Sequence, residues 1–180
     1  LIEEIVSQRD LAAAENGDIV VHPRKIGSRQ LMREVADEYR HHPSAHRKSV
    51  VIDHLSCDVE FTSDPALLAR VLANLVKNGL EASTPGQTVV LQSSLEEGSV
   101  VFRVRNEGVM PAAVQLQIYQ RSFSTKGADR GLGTYSTKLL TERYLKGQAT
   151  FVSNAELGTV FSVRLPRSDA SFSELQTSSL

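Results

Sequence analysis

Apolar positions recur along the chain at two periods, and the switch between them divides it into helices and strands. In Arg70 to Ser83, R-V-L-A-N-L-V-K-N-G-L-E-A-S, the residues Val71, Leu72, Leu75, Val76 and Leu80 follow the spacing that buries one helix face against a sheet. Ser63-Asp64-Pro65 supplies a capping side chain and a proline for the first helical position. This helix is therefore predicted from Pro65 to just beyond Glu81, where Thr84-Pro85-Gly86 stops it. Leu31, Met32, Val35, Ala36 and Tyr39 repeat the period from Arg29 to about Arg40, with Ser28 as the N-cap and His41-His42-Pro43 as the stop. Leu1 to Asn16 is rich in helix formers and ends at Asn16-Gly17-Asp18. Behind Gly131-Leu132-Gly133-Thr134, the residues Tyr135, Leu139, Leu140, Arg143, Tyr144 and Leu145 carry a further helix to Gly147.

Alternating or short apolar runs predict strands over residues 49–55, 59–62, 87–95, 99–105, 148–153 and 159–165. The pair around Glu96-Glu97-Gly98 forms an antiparallel hairpin whose second strand delivers Asn106 to a loop. His22 to Gly27 reads as a connector, Pro111 to Tyr119 has weak helical periodicity, and residues 120–130 are polar and rich in turn formers. Pro166 to Leu180 is serine-rich and aperiodic, the composition of a disordered tail.

Composition narrows the classes. The 180 residues fit one domain with an appended helix, and 20 basic against 21 acidic residues leave a formal charge of −1. No overall field draws nucleic acid or an anionic membrane to such a chain. Cys57 is alone, reads as a small buried hydrophobe and fits a reducing, cytoplasmic compartment. The apolar runs are too short to cross a bilayer, and no signal-peptide pattern opens the chain. Residue 1 is not Met, so the chain reads as a fragment: residues 1–20 end an upstream dimerisation-type helix and its linker, 21–166 form the domain, and 167–180 the tail. His41, His42 and His46 lack Cys or carboxylate partners at ligand spacing and read as a solvated loop.

Two stretches carry candidate chemistry. Asn74, Asn78 and Glu81 share one helical face. An asparagine oxygen is a neutral hard donor suited to Mg²⁺ in a nucleotide site, although a solvated polar stripe has the same pattern. Gly131 and Gly133 open a helix whose first amides have no internal partner and can hold phosphate oxygens, with Lys126 and Arg130 adding positive charge. A tight turn into a buried helix is the alternative. Neither the dinucleotide fingerprint nor the Walker loop is present.

In order and spacing, N-L-V-K-N-G-L-E-A-S, N-E-G-V-M-P, Y-Q-R-S-F-S-T-K and R-G-L-G-T-Y-S-T-K-L-L resemble the boxes of the histidine-kinase ATP-binding domain, the GHKL or Bergerat-type ATPases. G-T-V-F-S-V-R-L-P is similar to that family's closing strand, so the resemblance spans about Ile26 to Pro166. It implies a two-layer α/β (α+β) sandwich, with a mixed, mostly antiparallel sheet of about five strands and three helices on one face. It also implies roles. Asn78 is the Mg²⁺ ligand, Asn74 stands one turn earlier beside the phosphates, and Glu81 is either near them or a solvated surface residue. Asn106 replaces the family's aspartate that accepts a hydrogen bond from the adenine amino group; its amide can still accept, without charge assistance. Gly108 matches the first glycine of the box that follows, and the second is missing before Met110, which falls in the same base-binding turn. Tyr119 and Phe123 match the two aromatics of the F box. Ser124, Thr125 and Lys126 line the lid, with Lys126 reaching the terminal phosphates. Arg130, Gly131, Leu132, Gly133 and Thr134 cradle them. Thr159 touches the base or fills a strand position.

The activity implied is transfer of the γ-phosphoryl group of Mg-ATP to a histidine on a dimerisation domain outside this chain, since His22, His41, His42, His46 and His54 lack the acceptor context. The partners implied are that domain of the same protein, within a homodimer, and a response-regulator receiver. No nucleic acid and no membrane insertion are expected for these residues, which are assigned to the cytoplasm. Two alternatives stand beside this reading: a GHKL-type ATPase or anti-sigma-like serine kinase, and a degenerate nucleotide-binding module without transfer activity.

Overall fold

The computed structural model describes residue 9, residues 11–121 and residues 132–167. The expected helix over residues 1–8 and the expected tail from 168 onward lie outside them. In chain order the elements are α1 (residues 11–16), β1 (Arg24–Gly27), α2 (Ser28–Arg40), β2 (Ser49–Ile52), β3 (Glu60–Ser63), α3 (Pro65–Ala82), β4 (Thr88–Glu96), β5 (Ser99–Asn106), α4 (Ala112–Gln115), α5 (Leu132–Leu139), β6 (Gln148–Asn154) and β7 (Gly158–Pro166).

Five strands pair in the order β2-β4-β5-β7-β6, with β2 and β4 parallel and the other pairs antiparallel. The register sets Leu91 beside Val104, Val104 beside Phe161, and Phe102 beside Val163. Because strand side chains alternate, these residues share one face of the sheet, and all are buried. Helices cover that face. Leu31, Met32, Val35, Ala36 and Tyr39 of α2 are buried, as are Val71, Leu72, Leu75, Val76 and Leu80 of α3, so both amphipathic patterns point inward as expected. Each fully buried leucine of α3 contributes about 1.5–3 kcal/mol relative to exposure. The predicted two-layer arrangement of a mixed five-stranded sheet under helices is therefore present.

Helix α3 begins where its sequence says. Asp64 caps it, its Oδ1 accepting from the amides of Ala66 at 2.9 Å and Leu67 at 3.0 Å, while Pro65 occupies the first turn. Its Oδ2 accepts from the His22 amide at 2.7 Å, which fixes the incoming chain to the same carboxylate. Helix α5 continues into a wider turn over Leu140–Tyr144, where the Leu145 amide reaches back five residues to the Leu140 carbonyl at 3.0 Å.

Four local expectations need correction. His22 to Gly27 is not merely a connector: Arg24–Gly27 pairs antiparallel with β3, which removes β3 from the main sheet. R-K-I-G shows no apolar alternation, and its pairing satisfies backbone groups that β3 leaves open. Ser28 is not an N-cap. Gly27 holds that position without a side-chain bond, and the Ser28 hydroxyl instead accepts from the Val59 amide at 2.9 Å and lies 3.0 Å from the Cys57 carbonyl. Cys57 is exposed rather than buried, because its backbone bonds to Ser93 and Ser28 turn the side chain outward. The strand expected over 49–55 ends at Ile52, where the Asp53 carboxylate accepts from the Leu55 amide at 2.9 Å and closes a turn.

Helix α1 packs on the domain rather than standing clear of it. Leu11 and Ala14 are buried, and the Ala14 carbonyl accepts from the Tyr144 hydroxyl at 2.6 Å and the Arg143 guanidinium at 3.2 Å. Arg143 also donates to the Glu15 carbonyl at 2.8 Å, so two side chains cap the last turn of α1. Among the described residues no helix is long and apolar enough to cross a membrane.

Candidate functional site

Burial of one face of α3 leaves Asn74, Asn78 and Glu81 half-buried along its upper edge, beside α5. Within α3, Gly79 permits close approach to the sheet: a Cβ there would lie 3.2 Å from both methyls of Val89 and 3.8 Å from the Cβ of Asn106. A helix-interior glycine costs about 1 kcal/mol against alanine, so it signals a packing reason; the sequence reading did not use that signal. Asn78, the neighbour of Gly79, faces the first turn of α5. A Cβ built on Gly133 would lie 3.5 Å from Asn78 Nδ2 and 3.7 Å from Oδ1. The Asn78 Nδ2 atom is buried and has no hydrogen-bond partner. Because residue 133 is glycine, no side chain of that residue stands against this amide.

The other end of the site is built at the end of β5. Asn106 is 5% exposed and is in register with Thr159 of β7, itself 4% exposed. Gly108 brings its backbone against Asn106: a Cβ there would meet Asn106 Nδ2 at 3.0 Å and the Ala82 carbonyl at 3.2 Å. The Thr159 hydroxyl donates to the Gly108 carbonyl at 2.7 Å, and the Met110 amide donates to Ser153 Oγ at 2.8 Å. The structure thus gathers Asn106, Gly108, Met110 and Thr159 around one turn, and adds Ser153, which the sequence reading passed over as an ordinary strand residue.

Around the start of α5, the Thr134 hydroxyl donates its proton to the Ile118 carbonyl, so only the backbone amides of that turn remain as donors there. The first amides of a helix lack intrahelical partners and carry the positive end of its dipole, a setting that favours anions. Tyr119 stacks edge-on against Phe151 at 5.7 Å, and the Lys138 ammonium lies 5.1 Å above its ring. Burial, and secondarily the Glu142 carboxylate, push the Tyr119 phenol well above its ordinary range, so it stays neutral. Phe123, Ser124, Thr125, Lys126, Arg130 and Gly131 lie outside the described residues; for Leu132 the helical backbone is described, as the first residue of α5.

One contact near the site joins residues far apart in sequence. The Glu15 carboxylate takes two bonds from Arg121, at 2.6 Å from Nε and 3.0 Å from Nη2. Nothing in the local sequence of Glu15 announces it, because its partner stands more than a hundred residues away.

A family model described as "Histidine kinase-, DNA gyrase B-, and HSP90-like ATPase" matches residues 63–169, which include α3, the Asn106 turn, α5 and the closing strands. The heme sensor protein HssS of Staphylococcus haemolyticus is 31% identical over 114 residues, covering 62% of this chain and 25% of that protein. The sensor histidine kinase CusS of Escherichia coli O157:H7 is 26% identical over 163 residues, covering 87% of this chain and 33% of that protein. The chain therefore spans between a quarter and a third of these two relatives. Among solved structures, the nucleotide-free catalytic domain of the histidine kinase ThkA superposes with a TM-score of 0.72 at 24% identity, covering 81% of this chain and 96% of that one. The complex of ThkA with the response regulator protein TrrA gives 0.72 at 22% identity, covering 93% and 49%.

Proposed function

The chain belongs to the histidine kinase-, DNA gyrase B- and HSP90-like ATPases, among the catalytic ATPase domains of sensor histidine kinases, and we propose that it binds Mg-ATP and passes the γ-phosphoryl group to a histidine outside residues 1–180. The observation that carries this reading is the buried, unpartnered amide of Asn78 opposite the glycine of α5. A buried polar group without a partner costs about 1–3 kcal/mol, a cost that a bound ligand can remove.

The orphan Nδ2 is a donor and fits a phosphate oxygen, while Oδ1 of the same side chain is the neutral hard oxygen suited to a cation beside that phosphate. Asn78 would hold Mg²⁺, which when bound neutralises charge on the phosphate oxygens. Asn74, and Glu81 if it takes part, stand on the same edge. The backbone of Gly131, Leu132, Gly133 and Thr134 cradles the phosphates, with Arg130 and Lys126 balancing their charge and Ser124 and Thr125 beside them. Asn106 accepts from the purine amino group, within the turn formed by Gly108 and Met110 and backed by Thr159. The nitrogen of the acceptor histidine attacks the γ-phosphorus, the bond to the β-bridging oxygen breaks, and ADP leaves. Such transfer asks the protein for positioning and charge stabilisation rather than covalent help.

The acceptor belongs to a dimerisation domain of the same protein, residues 1–20 ending the helix that leads from it and residues 21–166 forming the catalytic unit. A response-regulator receiver then takes the phosphoryl group. The relative crystallised with such a regulator supports that partner, and the cytoplasm is the compartment where ATP and a receiver meet. Titration of a non-hydrolysable ATP analogue tests the core of the proposal. Binding should tighten by roughly tenfold or more with Mg²⁺, and Asn78→Ala should remove most of that gain. A metal response that survives Asn78→Ala overturns the ligand assignment. The chain alone should take up little label from γ-labelled ATP; rapid stoichiometric labelling would overturn an external acceptor.

A further inference from the structure

We propose that Ser153 and Thr159 are positioning residues for the purine end of the site, joined in a one-directional relay of hydrogen bonds that holds both sides of the Gly108–Met110 turn. The inference rests on the nucleotide-binding reading above. Three bonds define it: the Met110 amide to Ser153 Oγ at 2.8 Å, Ser153 Oγ to Thr159 Oγ1 at 2.8 Å, and Thr159 Oγ1 to the Gly108 carbonyl at 2.7 Å. A hydroxyl has a single proton to give. The Thr159 proton goes to Gly108, so the bond between the two hydroxyls must carry the Ser153 proton. Every donor in the relay is thereby committed, from the Met110 N–H at one end to the Gly108 oxygen at the other.

Two consequences follow from this ordering. Thr159 has no proton left for a ligand, so its part in base recognition is to hold Gly108 rather than to donate to the purine. Gly108 in turn abuts the Asn106 amide, with its missing Cβ position 3.0 Å from Nδ2. Holding Gly108 therefore fixes the side chain that reads the base. Gln115 closes the third side, its Nε2 donating to the Met110 carbonyl at 2.8 Å and lying 3.3 Å from the Ser153 carbonyl. A turn of one glycine, one valine and one methionine, without a second glycine, is thus braced by two strand hydroxyls and one amide.

Thr159→Val keeps the shape of the side chain and removes the relay proton. In the full chain this variant should bind ATP about tenfold more weakly and lose most of its preference for ATP over GTP, while its Mg²⁺ dependence stays that of the wild type. Thr159→Ser should restore both affinity and preference. Ser153→Ala is the second variant, read without nucleotide: hydrogen exchange at the Met110 amide should accelerate by about tenfold or more while exchange in α3 is unchanged. Equal losses for ATP and GTP, failure of Thr159→Ser to rescue, or unchanged exchange at Met110 in Ser153→Ala would each overturn the relay. A wild-type chain that shows the protected Met110 amide yet binds no ATP would overturn the functional reading instead.

Discussion

At the Asn106 end of the site, the hydroxyls of Ser153 and Thr159 and the amide of Met110 all find partners at 2.7–2.8 Å. At the Asn78 end, less than two turns of α3 from the chain reversal at Ser83, the side-chain nitrogen is buried with no partner. The contrast separates scaffold from demand. Satisfied polar atoms are already at their free-energy minimum and fix geometry before any ligand arrives, whereas an unsatisfied one destabilises the free protein and rewards a ligand that completes it. One end is therefore preformed, and the other is left unsatisfied at a cost to stability.

The largest expected effect comes from filling the Asn78 end. Gly133→Val should place methyls in front of the Asn78 amide and weaken ATP binding by about 100-fold, or about 2.7 kcal/mol. Calorimetric titration checks this, with circular dichroism confirming the fold; near-normal affinity would show that the space is not where phosphate lies. Asn78→Leu sharpens the contrast further, because it removes the orphan donor while keeping volume. The free protein should gain about 1 kcal/mol in urea unfolding while its Mg²⁺-dependent binding disappears. A loss of stability in that variant would mean that the amide is satisfied after all. The smallest effect is expected at the satisfied end: Asn106→Asp supplies a charged acceptor in the same position and should tighten ATP binding by about threefold to tenfold. Weaker binding would show that burying the carboxylate outweighs the stronger bond.

Much of this was legible in the sequence where cause and effect are local. Asp64-Pro65 and the apolar spacing from Val71 to Leu80 specify α3 without help from the rest of the chain, and the alternation around Glu96-Glu97-Gly98 specifies the β4–β5 hairpin. What the sequence hid depends on partners distant in the chain. Strand β1 owes its existence to β3, 39 residues on at the first pair, Arg24 with Ser63. The outward turn of Cys57 depends on Ser93, and the bond from Arg121 to Glu15 on a helix at the other end of the chain. Ser153 carried no signal of its own, since a serine on a strand acquires a role only when the Met110 amide is known to approach it.

Gly79 has an effect beyond its own contacts. With the Val89 methyls 3.2 Å from where a Cβ would stand, a larger residue pushes α3 and the sheet apart wherever Val89 does not yield. Such a separation would raise Asn78 with the helix and leave Asn106 behind on its strand. A single absent methyl group therefore sets how closely the helix that carries Asn78 rests on the strand that carries Asn106.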